Sequence, residues 1–142
     1  TASRQSLLKA TEVVTTETNY FMKLSTGVDL IEIERIREAI ERHGDKFIAR
    51  IFTEGEQKEC AGRAASLAAR FAAKEATAKA LGCGIGDVSW LDIEVRGDEN
   101  NAPHLYLHGE GEKMAKKLGL STWSVSLSHT ETQAIAFVVA IG

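Results

Sequence analysis

At 142 residues the chain is long enough for one domain with a real core, and its 44% hydrophobic and 26% charged content is that of an ordinary soluble globular protein. A formal net charge of −3 argues against a protein that coats nucleic acid through its overall field, and no apolar run reaches the length of a membrane span. The two cysteines, Cys60 and Cys83, stand far apart without pairing or metal spacing, which points to reduced thiols in a cytoplasmic protein.

Residues 1–21 are rich in Thr, Ser and Glu, begin without Met, and lack the apolar segment of a signal peptide. Met22 opens a compact start before the first apolar strand. A functional domain over 22–142 is therefore expected, with 1–21 an N-terminal arm or an appended extension. The alternative is an arm that docks as a helix through Leu7, Leu8 and Val13. Val28, Leu30 and Ile31 then form a short strand interrupted by Asp29. The helix that follows puts Ile33, Ile36 and Ile40 on one face and ends at Gly44. Asp45 is placed to cap a further turn carrying Phe47, Ile48, Ile51 and Phe52. Thr53 and Glu56 have the spacing of a capping box, and a break near Gly62 precedes the central helix.

That helix is alanine-rich, with Leu67, Phe71, Ala78 and Leu81 on a broad apolar stripe. Arg70 and Lys74 are four apart, as are Glu75 and Lys79. The ordinary reading is a solvated helix face, on which the Glu75–Lys79 ion pair is worth about 0.2–0.5 kcal/mol. The sharper reading is one carboxylate for a metal ion, ringed by cations that hold a polyanion. The helix taken alone favours the ordinary reading, and Gly82 reads first as its C-cap.

After Gly86 the pattern alternates. Leu91, Ile93 and Val95 predict a half-buried strand, 97–103 a turn, and Leu105 and Leu107 the returning strand. Residues 110–118 predict a short helix with Met114, Ala115 and Leu118 inward and Gly119 as its stop. In the next strand Trp123, Val125 and Leu127 share a face opposite Ser124, Ser126 and Ser128. The last strand, 134–141, is apolar throughout, so it is expected to be central and covered on both faces. The order predicts an α+β domain with a largely antiparallel sheet packed against helices.

Asp29 lies inside an apolar strand, where an unpaired carboxylate is costly. It either caps the helix starting near Glu32 or Glu34, or converges with Glu75. Convergence would give two hard oxygen ligands suited to Mg²⁺, with water and substrate phosphates completing the shell. Neither a P-loop nor a G-x-G-x-x-G signature is present. By pattern alone His129 is a hydrogen-bonded histidine at a strand end.

Three stretches carry a resemblance. GVDLIEIERI (27–36), RFAAKEATAKALGCGIG (70–86) and SVSLSHTETQAIAFVVA (124–140) resemble, in order and spacing, the motifs of holo-acyl-carrier-protein synthases, the small bacterial 4′-phosphopantetheinyl transferases. The resemblance covers the chain from Met22 onward. It implies transfer of 4′-phosphopantetheine from coenzyme A to a serine of apo acyl carrier protein, releasing adenosine 3′,5′-bisphosphate. It implies a catalytic set of Asp29, Glu75 and Lys79, with Asp29 and Glu75 the ligands of Mg²⁺ and Lys79 on the phosphates. Arg70, Lys74, Gly82, Pro103, His129 and Thr130 would belong to the coenzyme site, and Arg35 would dock the carrier. It also implies a homotrimer with sites between subunits. The acceptor of the serine proton stays open between Glu75 and a metal-bound hydroxide. Ile31 stands where larger relatives carry another acid. Asn101-Ala102 stands where the turn often reads Asn-Gly, so a positive φ at Ala102 would be strained. Two other readings use the same residues: a metal-dependent hydrolase of coenzyme A, and a binding module without turnover.

Overall fold

The computed structural model describes residues 22–142, so the expectations for the arm at 1–21 lie outside the described residues. In chain order the elements are β1 (Leu24–Glu32), α1 (Ile33–His43), α2 (Asp45–Ile51), α3 (Glu54–Cys60) and α4 (Ala64–Ala80). A 3₁₀ turn at Trp90–Asp92 leads into β2 (Ile93–Gly97) and β3 (Pro103–Leu107), followed by α5 (Gly109–Leu118), β4 (Thr122–His129) and β5 (Gln133–Ile141). All ladders between these strands are antiparallel, and they form two sheets: β1-β5-β4, and the hairpin β2-β3. The α+β expectation holds, with the sheet divided.

Helix α4 lies across the three-stranded sheet because both surfaces are made of small residues. Ala68, Ala72, Ala73 and Ala76 meet Ala134, Ala136 and Val138 in one core cluster. Gly27 sets the distance of closest approach. A methyl group there would collide with the Ala76 carbonyl, so the strand admits the helix backbone only because position 27 has no side chain. Ser25 Oγ then donates to the Ala80 carbonyl at 2.5 Å, which fastens the helix end to β1.

The hairpin is held differently. Among the described residues the outer edge of β2 has no strand partner, and charged side chains of α3 and α4 take its place. Val95 N–H donates to Glu56 Oε2 at 2.9 Å and Gly97 N–H to Glu59 Oε1 at 2.7 Å. Arg70 Nε donates to the Val95 carbonyl at 3.2 Å, and Lys74 Nζ to that of Ile93. An edge closed in this way cannot template another strand.

Several local expectations hold: Gly44 ends α1 at φ 59°, Thr53 and Glu56 form the reciprocal capping box, and Gly119 ends α5 at φ 73°. Others are corrected. Asp45 is the first residue of α2 and makes no cap bond. Leu91 sits in the 3₁₀ turn and is exposed, as is Leu118. The positive φ of the hairpin turn falls on Asn101 (63°), a residue that tolerates it, and Ala102 is spared. β5 is central as expected, but among the described residues only one of its faces is covered. Ile135, Phe137 and Ile141 are exposed beside Val28 and Leu30, leaving an apolar sheet surface bare.

Candidate active site

The close contact at Gly27 brings two distant motifs together. Asp29 is two residues further along β1, on the same helix-facing side, and half-buried. Lys79, near the end of α4, donates from Nζ to the Val28 carbonyl at 2.9 Å and stands 3.4 Å from Asp29 Oδ1. Glu75 lies one turn earlier on the same helix. Partial burial pushes its carboxyl above the usual carboxylate range, the negative charge of Asp29 pushes it further, and Lys79 only partly pulls it back. The charge of Asp29 thus reaches Glu75, with a single lysine, Lys79, to offset it. Asp29 does not cap α1, whose N-cap position is Glu32 and carries no side-chain cap bond. Among the described residues no group of three or more His, Cys, Asp and Glu is arranged to hold a metal ion. Two hard oxygen donors with unrelieved mutual repulsion fit a divalent cation such as Mg²⁺, which takes few protein ligands.

A second polar locus lies on the other side of α4. Arg70 and Lys79 are nine positions apart, about half a turn out of phase at 3.6 residues per turn. Arg70 lines a cleft of 530 Å³ with Glu59, Arg63, Gly97, Asp98 and Asn101. Pro103 closes the turn on this side, paired with Gly97. Asp98 organises that turn. Its carboxyl is held below the usual range first by His104, at 2.9 Å, and then by the N–H groups of Ala102 and Asn100.

The remaining predicted residues scatter. Lys74 is a correction: its side chain is fully buried, and its ammonium donates to Glu56 Oε1 at 2.8 Å and to the Trp90 and Ile93 carbonyls. Three donors meet three acceptors, so nothing remains for a coenzyme phosphate. Burial lowers the pKa of this lysine, opposed by the Glu56 carboxylate. Gly82, at φ 72°, ends α4 by donating to the Lys79 carbonyl at 2.9 Å. His129 is the last residue of β4, exposed, with Nδ1 3.3 Å from the Thr130 carbonyl. Thr130 Oγ1 accepts from the N–H groups of Thr132 and Gln133, closing the β4–β5 turn. Neither residue touches Asp29, Glu75 or Lys79 within this chain, by the hydrogen bonds and ion pairs of the described residues. Arg35 is exposed on α1 and makes no ion pair among the described residues, whereas Arg37 pairs with Glu34 at 3.1 Å.

Comparison with known proteins fits this arrangement. The model of the 4′-phosphopantetheinyl transferase superfamily matches residues 25–138. The chain belongs to that superfamily. The holo-[acyl-carrier-protein] synthase of Herpetosiphon aurantiacus is 52% identical over 126 residues, covering 84% of this chain and 99% of that protein. The synthase of Moorella thermoacetica is 46% identical over 116 residues, covering 80% and 90%. Among solved structures, the Helicobacter pylori holo-[acyl-carrier-protein] synthase in complex with coenzyme A superposes with a TM-score of 0.75 at 35% identity, covering 81% of this chain and 98% of that one. As a member of this superfamily the chain carries its first and second motifs, Gly27–Ile36 and Arg70–Gly86, pressed against each other along the β1–α4 contact.

Glu56, Glu59 and Arg96 escaped the sequence reading as parts of this architecture. The signal was present in their spacing: Glu56 and Glu59 are one turn apart on α3, and their partners Lys74 and Arg70 are one turn apart on α4.

Proposed function

We propose that this chain transfers 4′-phosphopantetheine from coenzyme A to a serine of apo acyl carrier protein, releasing adenosine 3′,5′-bisphosphate, as a step of fatty acid biosynthesis in the cytoplasm. The observation that carries the reading is the meeting of Asp29, Glu75 and Lys79 from two separate motifs on one side of α4. The transferase domain is taken as 22–142.

Asp29 and Glu75 would hold Mg²⁺, which when bound would neutralise the charge gathering on the coenzyme's diphosphate. Lys79 adds a fixed cation at the same place. Its ammonium is anchored by the Val28 carbonyl, so it meets the phosphates already oriented. Arg70 and the turn before Pro103 would take the nucleotide end in the 530 Å³ cleft. His129 and Thr130 would approach the phosphates from a neighbouring copy. Two features support a homotrimer with shared sites. The cleft and the carboxylate pair occupy opposite sides of α4, and the bare sheet face at Val28 (48% exposed), Leu30 (57%) and Phe137 (46%) fits burial by a second copy.

The carrier is accommodated on α1 and α2. On the same helix as Arg35, Arg42 lines a groove of 780 Å³ together with apolar Phe47, Ile51, Phe71 and Trp90, basic Lys46 and Arg50, and one acid, Asp45. A mostly basic set of charges beside apolar side chains suits an acidic helical protein and speeds its encounter. The test is to incubate the chain with coenzyme A, Mg²⁺ and apo carrier and to weigh the carrier intact. A gain of one phosphopantetheine is expected. An unmodified carrier beside a working control would refute the reading, and bisphosphate released without carrier would favour a hydrolase.

A further inference from the structure

The cleft beside α4 holds an anion where a phosphate-binding site would be expected to hold only cations. Glu59 lies at its inner wall, three-quarters buried. Its Oε1 accepts from Arg70 Nη2 at 3.1 Å and from the Gly97 N–H at 2.7 Å, while Oε2 accepts from Arg96 Nε at 2.6 Å. Burial would raise the proton affinity of this carboxyl. Arg96, the Gly97 N–H and Arg70 together outweigh that and hold it below the usual range, so it stays ionised. One carboxylate thus ties two guanidinium groups to the start of the hairpin turn.

The consequence for Arg70 is specific. A guanidinium has five N–H donors in a rigid fork. In Arg70 the Nε donor goes to the Val95 carbonyl and one Nη2 donor to Glu59. Both bonds lie on the protein side, so the rotamer is fixed and the remaining N–H groups are left for the cleft. Gly97, which also lines the cleft, is fixed to the same carboxylate through its N–H. The anion therefore builds a rigid pocket wall and leaves the cation's outer edge available.

We propose that Glu59 is a positioning residue for coenzyme binding: it holds Arg70 in the cleft wall so that its remaining N–H groups meet a phosphate at the nucleotide end of the coenzyme. This rests on the transferase reading above. Of the two acids that line the cleft, Asp98 is already engaged by His104 and Glu59 by Arg70 and Arg96, so neither stands as a free anion against a phosphate.

The experiment compares the parent chain with Glu59→Ala and Glu59→Gln. Calorimetric titration with adenosine 3′,5′-bisphosphate should show about tenfold weaker binding for Glu59→Ala. Glu59→Gln should recover most of it, because its amide oxygen still accepts from Arg70 and Gly97. In transfer assays the KM for coenzyme A should rise about tenfold in Glu59→Ala, more than kcat falls, with the KM for apo carrier unmoved. Equal bisphosphate affinity in all three chains would overturn the proposal, since a merely structural role changes how much protein folds and not how tightly the folded part binds. A parent chain that fails to bind bisphosphate would overturn it as well. A parent that binds bisphosphate but modifies no carrier would sink the transferase activity, and the binding comparison would then decide Glu59 alone.

Discussion

Two sides of helix α4 carry charge, and they are built on opposite terms. Toward α3 and the hairpin, Lys74 meets Glu56 and Arg70 meets Glu59, so each acid there is matched by a cation of α4. Lys74 and Glu56 are wholly buried, and the Glu56 carboxylate additionally accepts from the N–H groups of Thr53 and Val95. Toward β1, the charge of Asp29 reaches Glu75 with Lys79 as partial compensation, and Glu75 is pushed toward its protonated form. On the first side each acid has its own cation. The second sets two acids against one lysine, which suits a site that takes a cation and a polyanion. One helix thus carries a buried ion pair that holds the fold, Lys74 with Glu56, apart from an acid pair left short of positive charge.

The comparison breaks most visibly at Lys74. Lys74→Met should strip the buried Glu56 carboxylate of its counter-charge and cost about 3–5 kcal/mol in urea unfolding. A loss below 1 kcal/mol would show that the pair is not the staple described. On the opposite side, Asp29→Asn should leave the fold intact by circular dichroism yet lower kcat/KM for carrier modification by about 10²–10³-fold, the usual effect of removing one preorganised electrostatic group. If instead Asp29→Asn unfolded the chain and Lys74→Met spared it, the two sides would have been assigned the wrong way round. Gly27→Ala tests the contact that joins them. The added methyl must push α4 away from β1, so a stability loss of about 1–3 kcal/mol is expected together with a loss of activity.

The smallest effect is a pH dependence, and its sign sharpens the contrast. The folded state holds Glu75 above its ordinary pKa, so in the unfolded chain this group ionises first. As pH rises from the ordinary carboxylate range through the raised value, the unfolded state has released a proton that the folded state still retains, and stability falls. Metal-free parent protein should therefore lose slightly more stability across that interval than Glu75→Gln does. Parallel curves for the two would remove the repulsion with Asp29 from the account.

Much of this was legible in the sequence. The T-x-x-E box, the cap glycines and the alternation in β4 depend on neighbours a few residues away, and they came out as read. The pairing of Asp29 with Glu75 is an open alternative in the sequence, because it depends on how β1 and α4 approach each other in three dimensions, and that approach is set at Gly27. Lys74 was misread for a related reason. Its spacing from Arg70 is that of an exposed helix pair, and nothing local reveals that α3 and β2 close over it. The unbroken apolar run of β5 pointed to cover on both faces. The described residues supply only one, and the run still describes the strand correctly if a second copy supplies the other.

The most direct test is a calorimetric titration of Mg²⁺ into the chain in the presence of coenzyme A, repeated with Asp29→Asn and with Glu75→Gln. The account predicts one ion per chain for the parent and at least tenfold weaker binding for each variant. Undiminished binding in both variants would contradict the claim that these two acids share a metal ion.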